Sequence, residues 1–253
     1  MATEAPIQPV WGVPVAALDL PAASGLVVER SLAGTGGFAC LCNVHVLVTA
    51  QHSEPLRAAL GEAALVFADG WPVAWSQRRA GSHRAMRVAG ADLVAAVFEL
   101  GEPIGLRHAL LGSTPHVVGR LRKRLLDRFP RARIVVTVAP GAGAALPRAA
   151  DLRRVRSGNP DIVWCALGAP RQELWMAREA DRLAPAFVVG VGAAFDFLAE
   201  TKRRAPLWMQ QSGLEWLYRL LSEPKRLAGR YARTNCEFAW RTLADLTHQR
   251  GAQ

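Results

Sequence analysis

Short apolar runs alternate with longer helical segments along most of the chain. Six runs rich in Val, Leu, Ile or Phe have the length and composition of buried parallel strands. They cover residues 37–41, 64–67, 107–111, 133–138, 161–166 and 186–191. Helix start signals fall between them, with Ser53 before Pro55 and Thr114 before Pro115. The alternation predicts an α/β fold, built on an open, mostly parallel, Rossmann-like sheet with helices on both faces.

The two ends of the chain lack this alternation. Residues 1–24 are rich in Pro and Ala without a sustained period, which predicts a poorly ordered lead-in. After residue 199 no strand-like run occurs, and the segments 206–213, 214–221 and 224 onward have the pattern of helices in series. We therefore expect a lead-in at 1–24, an α/β domain at 25–200 and a C-terminal helical appendage at 201–253.

Composition narrows the class of protein. The 253 residues are 51% hydrophobic and 21% charged, which is ordinary for a soluble protein and argues against a disordered or fibrous chain. The first basic residue is at position 30, so we expect no secretory signal. The longest nearly uncharged stretch, 185–195, is shorter than the roughly 20 residues that span a bilayer. We therefore expect a cytoplasmic protein without a transmembrane helix.

The four cysteines lack CxxC spacing and are too sparse for a disulfide framework. This predicts buried thiols in a reducing compartment. The residues concerned are Cys40, Cys42, Cys165 and Cys236.

The positive charge is concentrated toward the C-terminus. The formal net charge of the chain is +10, and residues 202–253 hold ten lysines and arginines against four acidic residues. A basic tail of this kind is typical of proteins that bind nucleic acid, anionic lipid or a phosphorylated substrate.

Polar residues directly after the apolar runs are the first candidates for chemistry. In an open α/β sheet the ligand crevice lies beyond the carboxyl ends of the strands. The candidates at those positions are Asn43, Asp69, Gly70, Gly112, Ser113, the segment 168–173 that begins with Gly168, and the segment 190–196 that ends with Asp196.

Asp69 is the strongest candidate for a catalytic residue among these positions. It comes directly after a buried run and directly before a helix start, so its carboxylate is suited to act as a general base. The same position also suits the N-cap of a helix that begins near Pro72. The two roles are compatible.

Other candidates suit a phosphate group or a helix cap. Gly112 and Ser113 lie at a helix N-terminus, where backbone N–H groups can hold a diphosphate, and an ordinary tight turn has the same pattern. Arg87 follows a basic loop, so it can reach a phosphate or stay solvated. Gln172 and Glu173 have the pattern of a capping pair in the first turn of a helix.

Several familiar site types are missing from the sequence. There is no GxxxxGK[ST] motif, which argues against a phosphate-binding P-loop. The segment that begins with Gly190 and Gly192 lacks the third glycine of the GxGxxG fingerprint for dinucleotide binding. The six histidines show no HExxH or paired spacing and no DxD occurs, so we expect neither a metal nor a cofactor. A positive side chain or a helix end would then hold any diphosphate.

Taken in order, these segments resemble the WecG/TagA/CpsF glycosyltransferase family of bacterial cell-surface polysaccharide synthesis. The resemblance runs from about residue 37 to residue 240. The matching stretches are 68–75, 87–93, 110–113, 166–173, 190–199, 204–219, 223–226 and 230–233. So many matches in the right order make the resemblance specific.

The resemblance implies an inverting, metal-independent transferase. It would move a sugar of N-acetylmannosamine or glucose type from a UDP donor to an undecaprenyl-diphosphate-linked saccharide. By the family motif, Asp69 would be the base that deprotonates the acceptor hydroxyl. Asn43, Arg87 and Gln172 map by motif to substrate contacts. With the strand-end candidates, the expected substrate-binding residues are Asn43, Arg87, Gly112, Ser113, Gly168, Gln172 and Asp196.

The resemblance also implies a membrane-facing role for the appendage. Arg226, Arg230 and Arg233 match the basic helices with which family members meet the membrane and complete the active site. Their spacing of i, i+4 and i+7 places them on one helical face, where they can meet anionic headgroups, and one of them can instead reach the lipid diphosphate or UDP. We therefore expect a peripheral protein on the inner face of the cell membrane, and a homo-oligomer is left open.

One position departs from the family pattern. Leu41 stands where the family usually has Thr, so the pocket lacks a hydroxyl. A missing hydrogen-bond partner can change which donor sugar is accepted. N-acetylmannosamine and glucose therefore stay equally open as the transferred sugar.

Two other function classes fit parts of the sequence. An NAD(P)-binding oxidoreductase agrees with the predicted sheet but not with the incomplete glycine pattern, and NADH binding would support it. A nucleic-acid-binding module agrees with the net charge of +10, but no recognition motif accompanies the arginine-rich composition. Salt-sensitive binding to DNA that exceeds binding to anionic liposomes would support it.

Overall fold

A single parallel sheet forms the centre of the protein. The structure is a computed structural model that describes residues 5–141 and 146–250. Within these residues the strands are β1 (Phe38–Cys42), β2 (Leu65–Ala68), β3 (Arg107–Gly112), β4 (Arg133–Val138), β5 (Ile162–Ala166) and β6 (Phe187–Gly190). Each lies within one residue of a predicted apolar run at either end, so the prediction of a parallel, Rossmann-like α/β sheet is confirmed.

Helices cover both faces of this sheet. In the described part of the chain they are α1 (Leu20–Ala33), α2 (Val44–Gln51), α3 (Glu54–Glu62), α4 (Trp71–Arg79), α5 (Gly90–Gly101), α6 (Pro115–Arg128), α7 (Ala149–Ser157), α8 (Arg171–Glu179), α9 (Ala194–Leu198), α10 (Leu207–Gln211), α11 (Glu215–Ser222) and α12 (Pro224–Arg250). The two predicted N-caps are confirmed, because Ser53 accepts a hydrogen bond from the N–H of Leu56 at 3.4 Å and Thr114 accepts one from Val117 at 3.3 Å.

The core has two layers because successive strand residues face opposite sides of the sheet. Leu41 of β1 packs on the side of α1, α5, α6 and α9. Its neighbours Cys40 and Cys42 pack on the side of α2, α3, α7 and α8. Burial on both sides explains why these strands read as unbroken apolar runs.

The strand order places a crevice at the carboxyl ends of the inner strands. The order is β2-β1-β6-β5-β3-β4, and every neighbouring pair is parallel. Strand β1 leads into α2 on one face, whereas the adjacent β6 leads into α9 on the other. Where neighbouring strands send their connections to opposite faces, a ligand crevice opens between them.

The described part of the N-terminal segment is packed, which corrects the expectation of a poorly ordered lead-in at 1–24. Val13 and Val15 are buried, and the N–H of Ala16 donates to the carbonyl of Val66 in β2 at 2.7 Å. The segment pairs with itself through short backbone bridges instead of forming a regular element. No hydrophobic period marks such a segment, which is why the sequence pattern missed it.

The C-terminal helices pack back onto the α/β part of the chain. Glu237 of α12 lies 2.8 Å from the Nε2 atom of His52, and Phe238 packs against Trp11 with a centroid distance of 5.1 Å. Cys236 is exposed on α12, whereas the other three cysteines are buried, so the prediction of buried thiols is wrong for Cys236. Over the described residues no helix combines the length and the apolar character needed to cross a bilayer.

Candidate active site

A cavity of about 520 Å³ occupies the crevice predicted by the strand order. Its walls come from the segments that follow β1, β2, β5 and β6, and from α11 and α12 of the appendage. The predicted residues that line it are Asn43, Asp69, Arg87, Gly168 and Gln172. Residues scattered over 130 positions of the sequence are thus brought into one site.

Asp69 faces the cavity and does not cap the helix that follows. The N-cap of α4 is Gly70, and no side chain accepts a hydrogen bond there. Gly70 has φ +114°, a conformation that side-chain-bearing residues rarely adopt. This turn leaves the carboxylate of Asp69 at the cavity wall instead of folding it over the helix end. The N-cap interpretation of Asp69 is therefore wrong, and its carboxylate is available for chemistry.

Asn43 serves both the local fold and the site. Its Oδ1 accepts the N–H of Val46 at 3.1 Å, which makes it the N-cap of α2. Its Nδ2 donates to Oδ2 of Asp69 at 3.3 Å. The cap fixes the orientation of the amide, so the amide in turn positions the carboxylate of Asp69.

Four charged side chains form an ion-pair network along one wall of the cavity. Arg87, in the loop before α5, donates to Glu215 of α11 at 2.5 Å and to Asp92 at 3.3 Å. Arg204 donates two hydrogen bonds to Asp92, at 2.5 and 2.7 Å. Two positive and two negative groups balance each other here, and they tie the appendage to the α/β part of the chain.

Burial and the neighbouring charges together raise the pKa of Asp69. Loss of surrounding water raises the pKa of the Asp69 carboxyl, and the negative charge of Glu215 raises it further. The hydrogen bond from Asn43 and the positive charges of Arg87 and Arg219 lower the pKa, but they do not cancel the rise. A carboxylate with a raised pKa is a stronger base than an exposed one, which suits proton abstraction.

Gln172 forms part of the cavity floor through a chain of buried hydrogen bonds. Its Oε1 accepts the N–H of Gly192 at 2.9 Å, and its Nε2 donates to Oε1 of Glu173 at 2.8 Å. Both side chains are almost completely buried. Gln172 therefore holds the loop after β6 in place, which is a different role from the predicted first-turn capping pair.

Glu173 is a buried acid that the sequence did not single out as a site residue. Its Oε2 has no hydrogen-bond partner in the described part of the chain. Burial raises the pKa of its carboxyl, against the opposing effect of the hydrogen bond from Gln172. Its neighbours on the strands are the thiols of Cys40, Cys42 and Cys165, whose own pKa values burial also raises.

Three of the expected substrate-binding residues lie away from the cavity. Gly112 and Ser113 form a tight turn in which the N–H of Ser113 donates to the carbonyl of Ala166 at 3.1 Å. A Cβ atom at Gly112 would lie 2.5 Å from that same carbonyl oxygen, so only glycine fits where β3 approaches β5. Asp196 accepts a hydrogen bond from the Thr201 hydroxyl at 3.3 Å and does not line the cavity.

The three appendage arginines belong to helix α12. Arg233 is exposed and does not line the cavity. The side chains of Arg226 and Arg230 lie outside the described residues. The same helix contributes Asn235 and Phe238 to the cavity wall.

A comparison with protein families identifies the group to which this site belongs. The model of the WecG/TagA/CpsF glycosyl transferase family matches residues 8–252, nearly the whole chain. The chain belongs to this glycosyltransferase family. The cavity, with its carboxylate and its arginines, is therefore the candidate active site of a WecG/TagA/CpsF family member.

The sequence missed several residues that this family member brings into its site. They are Arg204, Glu215 and Arg219, which line the cavity together with Arg87. All lie in stretches that resemble the family, but their contacts span more than 100 positions and have no periodic signature. Only the balance of charges gave a hint, because acidic residues are rare in a strongly basic appendage.

The described residues offer no evident metal site. No group of three or more His, Cys, Asp or Glu side chains within them could hold a metal ion. The positive groups near Asp69 are arginines, which can bind a diphosphate directly through charge-assisted hydrogen bonds.

Proposed function

We propose that this glycosyltransferase moves a hexose of N-acetylmannosamine or glucose type from a UDP-sugar to a polyprenyl-diphosphate-linked saccharide, with inversion at the anomeric carbon and without a metal ion. The observation that carries the proposal is the cavity in which Asp69, with a raised pKa, faces the arginines Arg87 and Arg204. Membership of the family supports the reaction class.

The reaction would be a single displacement. The acceptor hydroxyl oxygen attacks the anomeric carbon while Asp69 takes up the hydroxyl proton. The bond between that carbon and the UDP oxygen breaks, and its electron pair leaves with UDP. Attack from the face opposite UDP inverts the configuration.

The leaving diphosphate would need positive charge in place of a metal ion. Arg87 is a predicted residue that lines the cavity, and Arg204 shares its partner Asp92. Both arginines form ion pairs with Asp92 and Glu215. A diphosphate that binds Arg87 would therefore compete with Glu215, and Arg204 would then hold Asp92 in place.

The reaction is tested by measuring UDP release in the presence of EDTA. The wild-type protein is incubated with a panel of UDP-sugars and a short-chain polyprenyl-diphosphate saccharide. We expect release from one donor class, dependent on the acceptor and unaffected by EDTA. No release from any donor, together with binding of NADH, would instead favour the oxidoreductase interpretation.

The appendage is proposed to meet the inner face of the cell membrane. Leu207 and Trp208 of α10 are 72% and 62% exposed, and Trp240 of α12 is 69% exposed. Apolar side chains beside arginines are typical of surfaces that enter the headgroup region. Flotation with anionic vesicles should weaken in Trp208→Ala/Trp240→Ala and not in Leu32→Ala/Ile104→Ala, which changes two other exposed apolar residues. Equal flotation of both double variants would contradict this proposal.

A further inference from the structure

A second cavity, of about 280 Å³, adjoins the candidate active site. It lies between the loop after α9 and helix α11. Phe197 and Arg219 line both cavities, and the guanidinium carbon of Arg219 lies 5.6 Å from the centre of the Phe197 ring. The two spaces thus share a wall made by these two side chains.

The second cavity is positively charged. Lys202, Arg203 and Arg219 line it against one carboxylate, Glu223. The Nζ atom of Lys202 lies 2.8 Å from Glu223. Arg203 is exposed, and no described carboxylate forms an ion pair with it. The site therefore suits an anionic group, with an excess of positive charge left to meet it.

Its volume fits a headgroup better than a whole nucleotide sugar. Sites for drug-sized ligands usually occupy roughly 300–1,000 Å³. The second cavity lies just below that range, and the first cavity, at about 520 Å³, lies within it. The nucleotide sugar is therefore assigned to the first cavity, and a smaller anionic group fits the second.

An exposed apolar side chain lies beside the second cavity. Leu221 is 71% exposed and stands next to Ser222, which lines the cavity. Tyr218, one turn earlier in α11, supplies an aromatic wall. A hydrocarbon chain attached to an anion held here would find apolar surface as it leaves.

The second cavity also lies within electrostatic reach of Asp69. The positive charge of Arg219 lowers the pKa of the Asp69 carboxyl, although other effects raise it overall. Since Arg219 also lines the second cavity, only the width of this shared wall separates an anion there from the space in front of Asp69.

We propose that the second cavity holds the diphosphate of the lipid-linked acceptor, with Lys202 and Arg203 as its cationic contacts. The acceptor sugar would then extend past Phe197 and Arg219 into the first cavity, where its hydroxyl would face Asp69. This inference rests on the proposed function, because it assigns a place to the acceptor of that reaction.

The test measures binding without turnover. A short-chain polyprenyl diphosphate without a sugar and, separately, UDP are titrated into the full-length protein by calorimetry, with no membrane present. Lys202→Gln/Arg203→Gln should raise the Kd for the polyprenyl diphosphate roughly tenfold and leave that for UDP unchanged. The matched control Arg153→Gln/Arg154→Gln removes the same charge from an adjacent exposed pair on α7 and should change neither Kd.

A second variant, expected to bind the polyprenyl diphosphate more tightly, distinguishes a change at the site from a loss of folding. Glu223→Gln releases Lys202 from its ion pair, so it should tighten binding of the polyprenyl diphosphate by about two- to threefold. Weaker binding in this variant would overturn the proposal. An equal loss of binding in the control variant Arg153→Gln/Arg154→Gln would also overturn it. If Lys202→Gln/Arg203→Gln raised the Kd for UDP instead, the donor diphosphate would belong in the second cavity and the proposal would be wrong.

A third arm separates a lipid diphosphate from membrane phospholipid. Short-chain phosphatidylglycerol should not displace the polyprenyl diphosphate at equal concentration, and equal displacement would overturn the assignment to the acceptor. Because no donor is present, these results do not depend on catalysis. Intact binding with no transfer from any UDP-sugar would refute the proposed function and leave the second cavity as a lipid-diphosphate site.

Discussion

Substitution of Gly190 by Ala tests how the floor of the active site is built. Gly190 is the last residue of β6, and a Cβ atom there would lie 2.6 Å from Cε of Met176 and 2.8 Å from Nε2 of Gln172. Both side chains are buried, so neither can turn into solvent. Met176 is flexible, but the amide of Gln172 is held by Glu173 and Gly192 and has to give up hydrogen bonds to move.

The magnitude follows from these contacts. One extra methyl group in a packed core costs about 1–3 kcal/mol, and a weakened hydrogen bond adds about 1 kcal/mol. Reduced entropy of the unfolded chain offsets about 0.4–1 kcal/mol. The net expectation for Gly190→Ala is a loss of about 1–3 kcal/mol, which lowers the melting temperature by roughly 2–12 °C in a chain of this size.

The assay is thermal unfolding followed by circular dichroism, with UDP binding as a second readout. Gly119→Ala is the matched control, because Gly119 is exposed within α6 and a Cβ atom there would meet nothing within 4 Å. The control should gain about 0.5–1 kcal/mol, so the two variants move in opposite directions. Gly190→Ala should also weaken UDP binding, since Gln172 lines the cavity. If Gly190→Ala melts at or above the wild-type temperature, the close contact between β6 and Gln172 is refuted.

Three further predictions follow from charged groups. Glu215→Gln removes a negative charge that raises the pKa of Asp69, so the acidic limb of the pH profile of kcat/KM should move to lower pH. An acidic limb at the same pH as in the wild type would contradict the assignment of Asp69 as the base. Burial lowers the pKa of His108 to about 3, so the contribution of His108 to stability should fall by about 1.4 kcal/mol per pH unit as the pH drops from 6.5 toward 3. Chemical denaturation of His108→Gln should therefore show a flatter pH dependence over this range. Burial raises the pKa of Glu173, so its contribution to stability has the opposite sign and is lost as the pH rises above about 4.5. The variant Glu173→Gln should retain that stability at higher pH. An unchanged dependence of stability on pH in this variant would show that Glu173 is ionised in the folded protein.

The sheet was predictable because all of its strands except the edge strand β4 are buried on both faces. A strand such as Ile162–Ala166 must be apolar at every position, and this leaves a short, unbroken signal in the sequence. Residues 5–19 carry no such signal, since prolines interrupt their apolar positions and the buried residues, such as Val13 and Val15, follow no regular period. Their packing depends on the sheet that they cover and cannot be derived from local pattern.

The candidate site was predictable where it follows directly from a strand. Asn43 and Asp69 stand at strand ends, so the rule for α/β crevices points to both. The same rule also pointed to Gly112 and Ser113, which do not line the cavity. Glu215 could not be found in this way, because its place in the site depends on how the appendage folds back over the cavity.

The most direct test of the account compares Asp69→Asn with Asp196→Asn. Asp196 provides the matched control, because its carboxylate lies outside both cavities and an asparagine there can still accept the hydrogen bond from Thr201. In UDP release assays with the best donor, acceptor and EDTA, Asp69→Asn should lose about 10²–10⁴-fold in kcat with UDP binding retained, and Asp196→Asn should match the wild type. Full activity of a folded Asp69→Asn variant would contradict the assignment of Asp69 as the base.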